Sequence, residues 1–284
     1  MKISKWLVIM AIIAVSVLFD IVLHLVTSVY STMPENPNFS IVAKLLGMEI
    51  TVSLWALLSF SGAACVYCRI RNAIPGKGIR KGLKYGSAIA LLWLFAMLEG
   101  VPLFGNPIIN EFVVGLSDAL PVFIMGILLS LLKAEKGENA AVEPFTFGQK
   151  MMAVSMFTGV FLIGRYAAYF TGAIQSGHQI SPFYTFLWTL LMGACIGVVC
   201  ILLGNSVDML SVESRAVKFG FIMFGVNWAT FLSFMPLLFS GYLSDVLSRI
   251  IIDTLLVTIG YYLTFSTGMS FLEKRTSRIP GLIK

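Results

Sequence analysis

The sequence predicts an all-α, polytopic integral membrane protein, with eight transmembrane helices arranged as two tandem four-helix repeats in parallel orientation. Of its 284 residues, 58% are hydrophobic and 12% are charged, and this charged fraction is about half that of an average soluble protein. The mean hydropathy is +0.90. These figures exclude a disordered, collagen-like, coiled-coil or disulfide-stapled secreted chain, and the four cysteines all lie within apolar segments.

Eight segments are long and apolar enough to cross a membrane, since a spanning helix needs roughly 20 mostly apolar residues. The predicted helices cover residues 6–29, 49–69, 85–104, 111–132, 151–173, 183–204, 219–240 and 246–271. The first apolar run continues to about Val29 without a convincing cleavage site, so we interpret it as a retained helix rather than a signal peptide. The loop that follows contains FSIVAKLLGM, which favours a short helix on the membrane surface.

The positions of Lys and Arg predict how the helices are oriented. With eight helices, the termini and every second loop lie on one side, and that side holds all but three of the 20 Lys and Arg residues. Lys44 lies on the other side, whereas Arg165 and Arg249 fall within helices. Because basic loops remain cytoplasmic, both termini are predicted to be cytoplasmic in the cell (plasma or inner) membrane. The net charge of +6 is therefore explained by topology, and nucleic acid is not an expected partner.

The two halves of the sequence resemble each other in order, which predicts an internal duplication. The first helices align at an offset of 145, Lys5 on Lys150. Further matches, at offsets of 133 or 134, pair LWALL (54–58) with LWTLL (187–191), Lys84-Tyr85-Gly86 with Lys218-Phe219-Gly220, Pro102 with Pro236, Glu111 with Asp245, and Gly126 with Gly260. An even number of helices per unit gives both units the same orientation, about a pseudo-twofold axis along the membrane normal. The predicted repeats are residues 1–135 and 147–272, with a cytoplasmic linker at 136–146 and a basic cytoplasmic tail at 273–284.

Ionisable residues inside the predicted helices are the candidate functional groups, because charges at membrane depth are costly and usually face a partner or water. Four of them lie 15 residues from a basic residue at the inner edge, or about 22 Å at ~1.5 Å per residue. This predicts a polar layer in the outer half of the bilayer. Asp20 and Arg165 occupy equivalent positions and are expected to pair across the pseudo-twofold axis. The candidate substrate- or ion-binding residues are Asp20, His24, Glu99, Asp118, Arg165, Asn227, Arg249 and Asp253.

The sequence leaves the role of this polar layer open between structural salt bridges, a ligand or ion pathway, and catalysis. No catalytic signature is present, so an enzyme is not expected and no cofactor is predicted. Cys65-x-x-Cys68 lacks a partner cluster and is interpreted as two small apolar residues. The two histidines, His24 and His178, are too few and too far apart in sequence to predict a metal site.

The favoured function is a permease-like transporter of an unknown small solute or ion, with its binding layer at the repeat interface. The alternative is a non-transporting accessory or scaffold subunit of a membrane complex, because the sequence contains no extramembrane domain. An intramembrane enzyme acting on a lipid or an isoprenoid carrier has only the carboxylates in its favour. Besides the lipid bilayer, a membrane partner or a homo-oligomer remains open.

Overall fold

The computed structural model describes residues 5–32, 37–72, 74–132, 145–204 and 211–268. Within these ranges the chain is helical, and eight helical stretches are long and apolar enough to span a membrane. In order, the eight spans are Lys5–Val26, Met48–Ile70, Ile79–Phe104, Ile108–Ser130, Phe147–Phe170, Pro182–Leu203, Val212–Leu238 and Leu243–Ser266. The prediction of an all-α, multi-pass membrane protein with eight spans is confirmed. The tail at 273–284 and most of the linker at 136–146 lie outside the described residues.

The third and seventh spans begin earlier than predicted, at Ile79 and Val212 rather than at 85 and 219. Their first turns carry basic residues that the apolar pattern assigns to loops. A helix does not have to end where its apolar stretch ends, because its backbone hydrogen bonds continue through polar residues. Lys81 also donates from Nζ to the carbonyl of Arg71 at 2.9 Å, a favourable contact at the end of the second span.

Proline breaks the same two spans near their other ends. The third span is a helix over Ile79–Met97 followed by Gly100–Phe104, and the seventh runs through Val212–Val217, a π-helical stretch at Lys218–Gly225, Val226–Leu232 and Phe234–Leu238. The ring of Pro102 or Pro236 crowds the carbonyl four residues earlier, which is that of Leu98 or Leu232. Both helices therefore break at these positions and then continue for another turn. The predicted ends of these two helices, at 104 and 240, lie close to the observed ends of the spans at Phe104 and Leu238, but the breaks within the spans were not predicted.

The spans pack in a pattern that links neighbours within and between the halves. The first span packs against the second and fourth, and the fifth packs against the sixth and eighth. Between halves, the third span contacts the sixth and the second contacts the seventh. Two indole groups cross these contacts, since Trp55 donates to the carbonyl of Phe231 at 2.8 Å and Trp188 to that of Phe95 at 2.7 Å.

Small residues allow the closest of these helix crossings. Gly86 of the third span lies so near the fourth that an added Cβ would be 2.5 Å from the carbonyl oxygen of Phe123. Gly197 of the sixth span approaches the fifth in the same way, 2.6 Å from the Cα of Val154. Glycine at such positions brings two backbones into contact, as is common between membrane helices.

The first connection is attached to the connection between the seventh and eighth spans. Ser40 donates to the carbonyls of Leu237 and Leu238, and Ser240 donates to those of Asn38 and Phe39. Ser40 also accepts a hydrogen bond from the Ala43 backbone, which caps a short helix over Ile41–Leu46. A short helix within FSIVAKLLGM is therefore confirmed, while its position on the membrane surface remains a prediction. The third, fifth and seventh spans end at this same end of the bundle, which we call the polar end.

Candidate functional site

A group of five charged side chains, four of them buried and Asp245 half-buried, lies at the polar end, and we call it the arginine network. Its members are Glu99 of the third span, Arg165 of the fifth, and Asp245, Arg249 and Asp253 of the eighth. Arg165 is fully buried. Its Nε and Nη2 donate to the two carboxylate oxygens of Asp253 at 2.6 and 2.5 Å, and its Nη1 donates to Glu99 Oε1 at 2.9 Å. This two-pronged contact is a geometry in which Arg binds a carboxylate strongly.

Glu99 joins the two arginines, because Arg249 Nη1 donates to the same Oε1 atom that accepts from Arg165. Arg249 also donates from Nε to Asp245 at 2.5 Å and from Nη2 to the carbonyl of Gln175. The Asp245 carboxylate accepts in turn from the Gln175 backbone N–H at 2.6 Å. The network thus holds together the third, fifth and eighth spans and the connection after the fifth, with Glu99 as its member from the first half.

Aromatic side chains enclose the Arg165 end of the network. The guanidinium lies 5.3 Å from the ring centre of Phe161 and 5.1 Å from that of Trp188, distances that suit cation–π attraction. The indole of Trp228 donates to Asp253 Oδ2 at 2.8 Å. Every polar atom of the Asp253 carboxylate is therefore partnered, which is what a buried charge requires.

A small crevice lies beside the network. It is lined in part by Glu99, Tyr169, Thr185 and Trp188, and its cavity volume is about 10 Å³. A cavity needs about 10–15 Å³ to hold one water, so the crevice in this conformation has room for about one water or a small ion and not for an organic solute. The connection after the fifth span closes tightly over it, since a Cβ on Gly177 would lie 1.7 Å from the carbonyl oxygen of Pro102.

A second buried group lies between the first and fourth spans, and we call it the Asp–His–Asp cluster. It consists of Asp20, His24 and Asp118. His24 Nε2 lies 2.9 Å from Asp118 Oδ1 and 3.9 Å from Asp20 Oδ1. Neither carboxylate oxygen of Asp20 accepts a hydrogen bond, although the residue is fully buried. Near the cluster, the hydroxyls of Thr27 and Ser117 are 3.0 Å apart and join the same two spans.

The structure brings most of the predicted residues together, in two groups rather than one. The arginine network contains Glu99, Arg165, Arg249 and Asp253, and the Asp–His–Asp cluster contains Asp20, His24 and Asp118. Asn227 is buried, and its Nδ2 donates to the carbonyl of Met223 in its own span. Glu99, Asp118 and Arg249 are all buried within the protein.

The predicted pairing of Asp20 with Arg165 is wrong. The Arg165 guanidinium is occupied by Asp253 and Glu99, whereas the ionisable groups beside Asp20 are His24 and Asp118. The first span packs on the second and fourth, so Asp20 faces Asp118 rather than the fifth span. Equal depth in the membrane fixes the height of a side chain but leaves its lateral position undetermined.

Sequence reasoning did not select three residues of the arginine network and its surroundings. Asp245 precedes Arg249 by four residues and Tyr169 follows Arg165 by four, a spacing that places both pairs on one helix face. This four-residue spacing could have identified Asp245 and Tyr169 from the sequence. Trp228 could not be selected in this way, because its contact with Asp253 joins two separate spans.

The fold and its two buried charged groups define a multi-pass membrane protein with ionisable residues enclosed at one end of its helix bundle. Comparison of the chain with protein-family models, with curated proteins and with solved structures found no match.

Proposed function

We propose that the protein is a permease-like transporter of a small polar solute, and that the arginine network closes its binding site on the outer side. The observation that carries this proposal is the network itself, in which Glu99 of the first half bridges two arginines of the second beside the crevice. Buried charges are not needed for stability, because apolar side chains of similar volume serve as well or better. Ionisable groups enclosed within a membrane bundle more often mark a substrate or ion pathway.

The size of the crevice indicates which state is described. A solute larger than a small ion does not fit between Glu99, Thr185 and Trp188. Transport by alternating access would therefore require Glu99 to separate from Arg165 or Arg249, which widens the crevice toward the polar end. Hydroxyl groups of Tyr169, Ser176 and Thr185 would then face the solute.

Two tandem repeats are part of the same proposal, and the helix contacts support them. If the first four spans correspond in order to the last four, the third span corresponds to the seventh and the sixth to the second. The contact between the third and sixth spans is then equivalent to the contact between the seventh and second spans. The reciprocal indole bonds fit this relation, because Trp55 and Trp188 occupy the matching LWALL and LWTLL segments. A site between the third span and the second half would then lie at the repeat interface, where transporters of this kind bind substrate.

The proposed orientation places both termini in the cytoplasm and the polar end outside the cell membrane. Reporter fusions after Arg80 and Glu138 are expected to read cytoplasmic, and fusions after Asn36, Asn106 and Gly177 external, because basic loops are retained inside. A reporter that is active only in the cytoplasm and one that is active only outside should give opposite results at each position. An external signal after Arg80 would contradict the orientation.

Uptake into proteoliposomes tests transport directly. Radiolabelled amino acids, sugars, nucleosides, organic acids and inorganic ions would be offered with an imposed proton or sodium gradient. We expect at least one class to enter faster than into protein-free liposomes. Glu99→Gln should lower that rate by about tenfold or more, because weakening the two charge-assisted hydrogen bonds from Arg165 and Arg249 costs the closed state about 1.5–3 kcal/mol. Failure of every class to enter, with correctly folded protein, would contradict the proposal.

The accessory-subunit alternative is favoured by the first span, which buries only Ser16, Val17 and Asp20 of its own residues. The opposite face, with Leu18, Val22 and Leu25, is exposed and apolar. Lipid covers such a face equally well, so we rank this function second. Purification in mild detergent distinguishes the two, since an accessory subunit should bring down a partner in fixed ratio.

A further inference from the structure

We propose that the Asp–His–Asp cluster is a binding site for a divalent transition-metal cation of the Zn²⁺ type. Asp20, His24 and Asp118 each offer one ligand atom, and these atoms all lie within 4.8 Å of one another. Two ligands at Zn²⁺ bond lengths of about 2.0–2.1 Å in tetrahedral geometry are about 3.4 Å apart. The observed separations of 2.9 and 3.9 Å from His24 Nε2 lie on either side of that value.

Asp20 is the observation that points to a ligand. Its side chain is fully buried, yet neither of its oxygens accepts a hydrogen bond within the described structure. A buried carboxylate without such partners is costly, and it faces a second carboxylate, that of Asp118, across His24. A divalent cation between them would supply both oxygens with a partner and neutralise the two negative charges.

The second half of the protein contains a similar arrangement, in which an arginine side chain supplies the positive charge. At the offset of 145, Asp20 corresponds to Arg165 and His24 to Tyr169. At the offset of 134, which aligns the later helices, Asp118 falls one residue from Asp253. Between the fifth and eighth spans, the guanidinium of Arg165 provides the positive charge that Asp253 needs. In the first half a carboxylate stands in the place of that guanidinium, so the positive charge has to come from elsewhere. This comparison between the halves rests on the proposed duplication, whereas the distances within the Asp–His–Asp cluster and the burial of Asp20 are independent of it.

The donor set indicates the class of cation. One imidazole with two carboxylates suits Zn²⁺, and also Mn²⁺, Fe²⁺ or Co²⁺, whereas Ca²⁺ takes six to eight oxygen ligands. Three protein ligands would leave a fourth position for water or another ligand.

The His24 side chain is 26% exposed and the two carboxylates are nearly inaccessible, so the cation would enter past the imidazole. Coordination requires an unprotonated Nε2 and ionised carboxylates, and any proton that the cluster holds is released on binding.

Metal titration of the purified full-length protein tests the site. With the affinity tag removed, calorimetry with Zn²⁺ alone should show one saturable site per chain, and Co²⁺ should give the intense visible absorption of a low-coordination complex. Binding of Ca²⁺ and Mg²⁺ should be much weaker. Asp20→Asn and His24→Gln should each lower the Zn²⁺ affinity by at least about tenfold, since even indirect contacts to a metal ligand contribute that much.

Two matched variants control for other sites. His178→Gln removes the other histidine of the chain, and Glu111→Gln removes a buried acid at the polar end that is bonded to Asn106 and Thr32. Both variants should bind Zn²⁺ with the affinity of the wild-type protein. Absence of saturable Zn²⁺ binding to the folded wild-type protein, or binding that survives both Asp20→Asn and His24→Gln, would overturn the proposal. If Asp20→Asn does not fold, the Co²⁺ spectra of the wild type and His24→Gln decide. Transport need not be observed for either result.

Discussion

Replacing Arg165 with Gln should destabilise the protein by about 3–5 kcal/mol, the usual cost of breaking a buried ion pair by removing one partner. The change removes the two bonds to Asp253 and leaves that carboxylate, which is fully buried, with the indole of Trp228 as its remaining donor. Glu99 is less affected because Arg249 still donates to it. The midpoint of thermal unfolding in detergent, followed by intrinsic tryptophan fluorescence, measures the loss.

The double variant Arg165→Gln, Asp253→Asn should recover part of that stability. With both charges removed, no uncompensated ion remains between the fifth and eighth spans, and the two amides are able to bond with each other. We expect a coupling free energy of about 1–3 kcal/mol between the two positions. Arg69→Gln, at an exposed position, should change stability by no more than about 0.5 kcal/mol. Additive losses from Arg165→Gln and Asp253→Asn would contradict the ion pair.

The sequence predicts those features of the fold that depend on local chemistry. The length of each apolar run determines that there are eight spans, and Pro102 and Pro236 lie near the ends of the third and seventh. Depth was also predictable, because residues at a fixed distance from a basic helix end lie at similar heights. For this reason Glu99 and Arg165 were expected in one layer, and they do form a direct bond.

The sequence does not determine which spans lie side by side, and the error at Asp20 follows from this. A pseudo-twofold axis was taken to bring equivalent residues together, but the first span lies against the fourth and the fifth against the eighth. Asp20 and Arg165 therefore belong to separate groups. The same reason explains why no metal site was predicted. His24 was compared with His178, whereas its potential co-ligand Asp118 comes from another helix, 94 residues away.

Opening of the crevice is the second large effect that we expect, and it depends on Glu99. Its Oε1 atom is the acceptor for both Arg165 and Arg249, so Glu99→Gln weakens two charge-assisted bonds between the halves. A loss of about 1.5–3 kcal/mol would raise the open population by about tenfold to a hundredfold. Thr185, which lines the crevice and is only 2% exposed, should then become accessible from outside.

The reaction of Thr185→Cys with a membrane-impermeant thiol reagent measures this accessibility in intact cells. The four native cysteines would first be replaced with Ala. Ile180→Cys is the control for access, because this position in the neighbouring connection is 90% exposed and should react rapidly in every background. Glu111→Gln is the control for charge, since it removes a buried acid of the polar end that lies outside the network.

This rate of labelling tests most directly the claim that the arginine network closes a solute site. If the network closes the site, Thr185→Cys should be labelled slowly, both when the network is otherwise unchanged and in the Glu111→Gln background. In the Glu99→Gln background, the rate of labelling should be at least about tenfold higher, in proportion to the open population. An equally slow rate in Glu99→Gln, with Ile180→Cys fully reactive, would contradict the account and identify the network as a structural contact between helices.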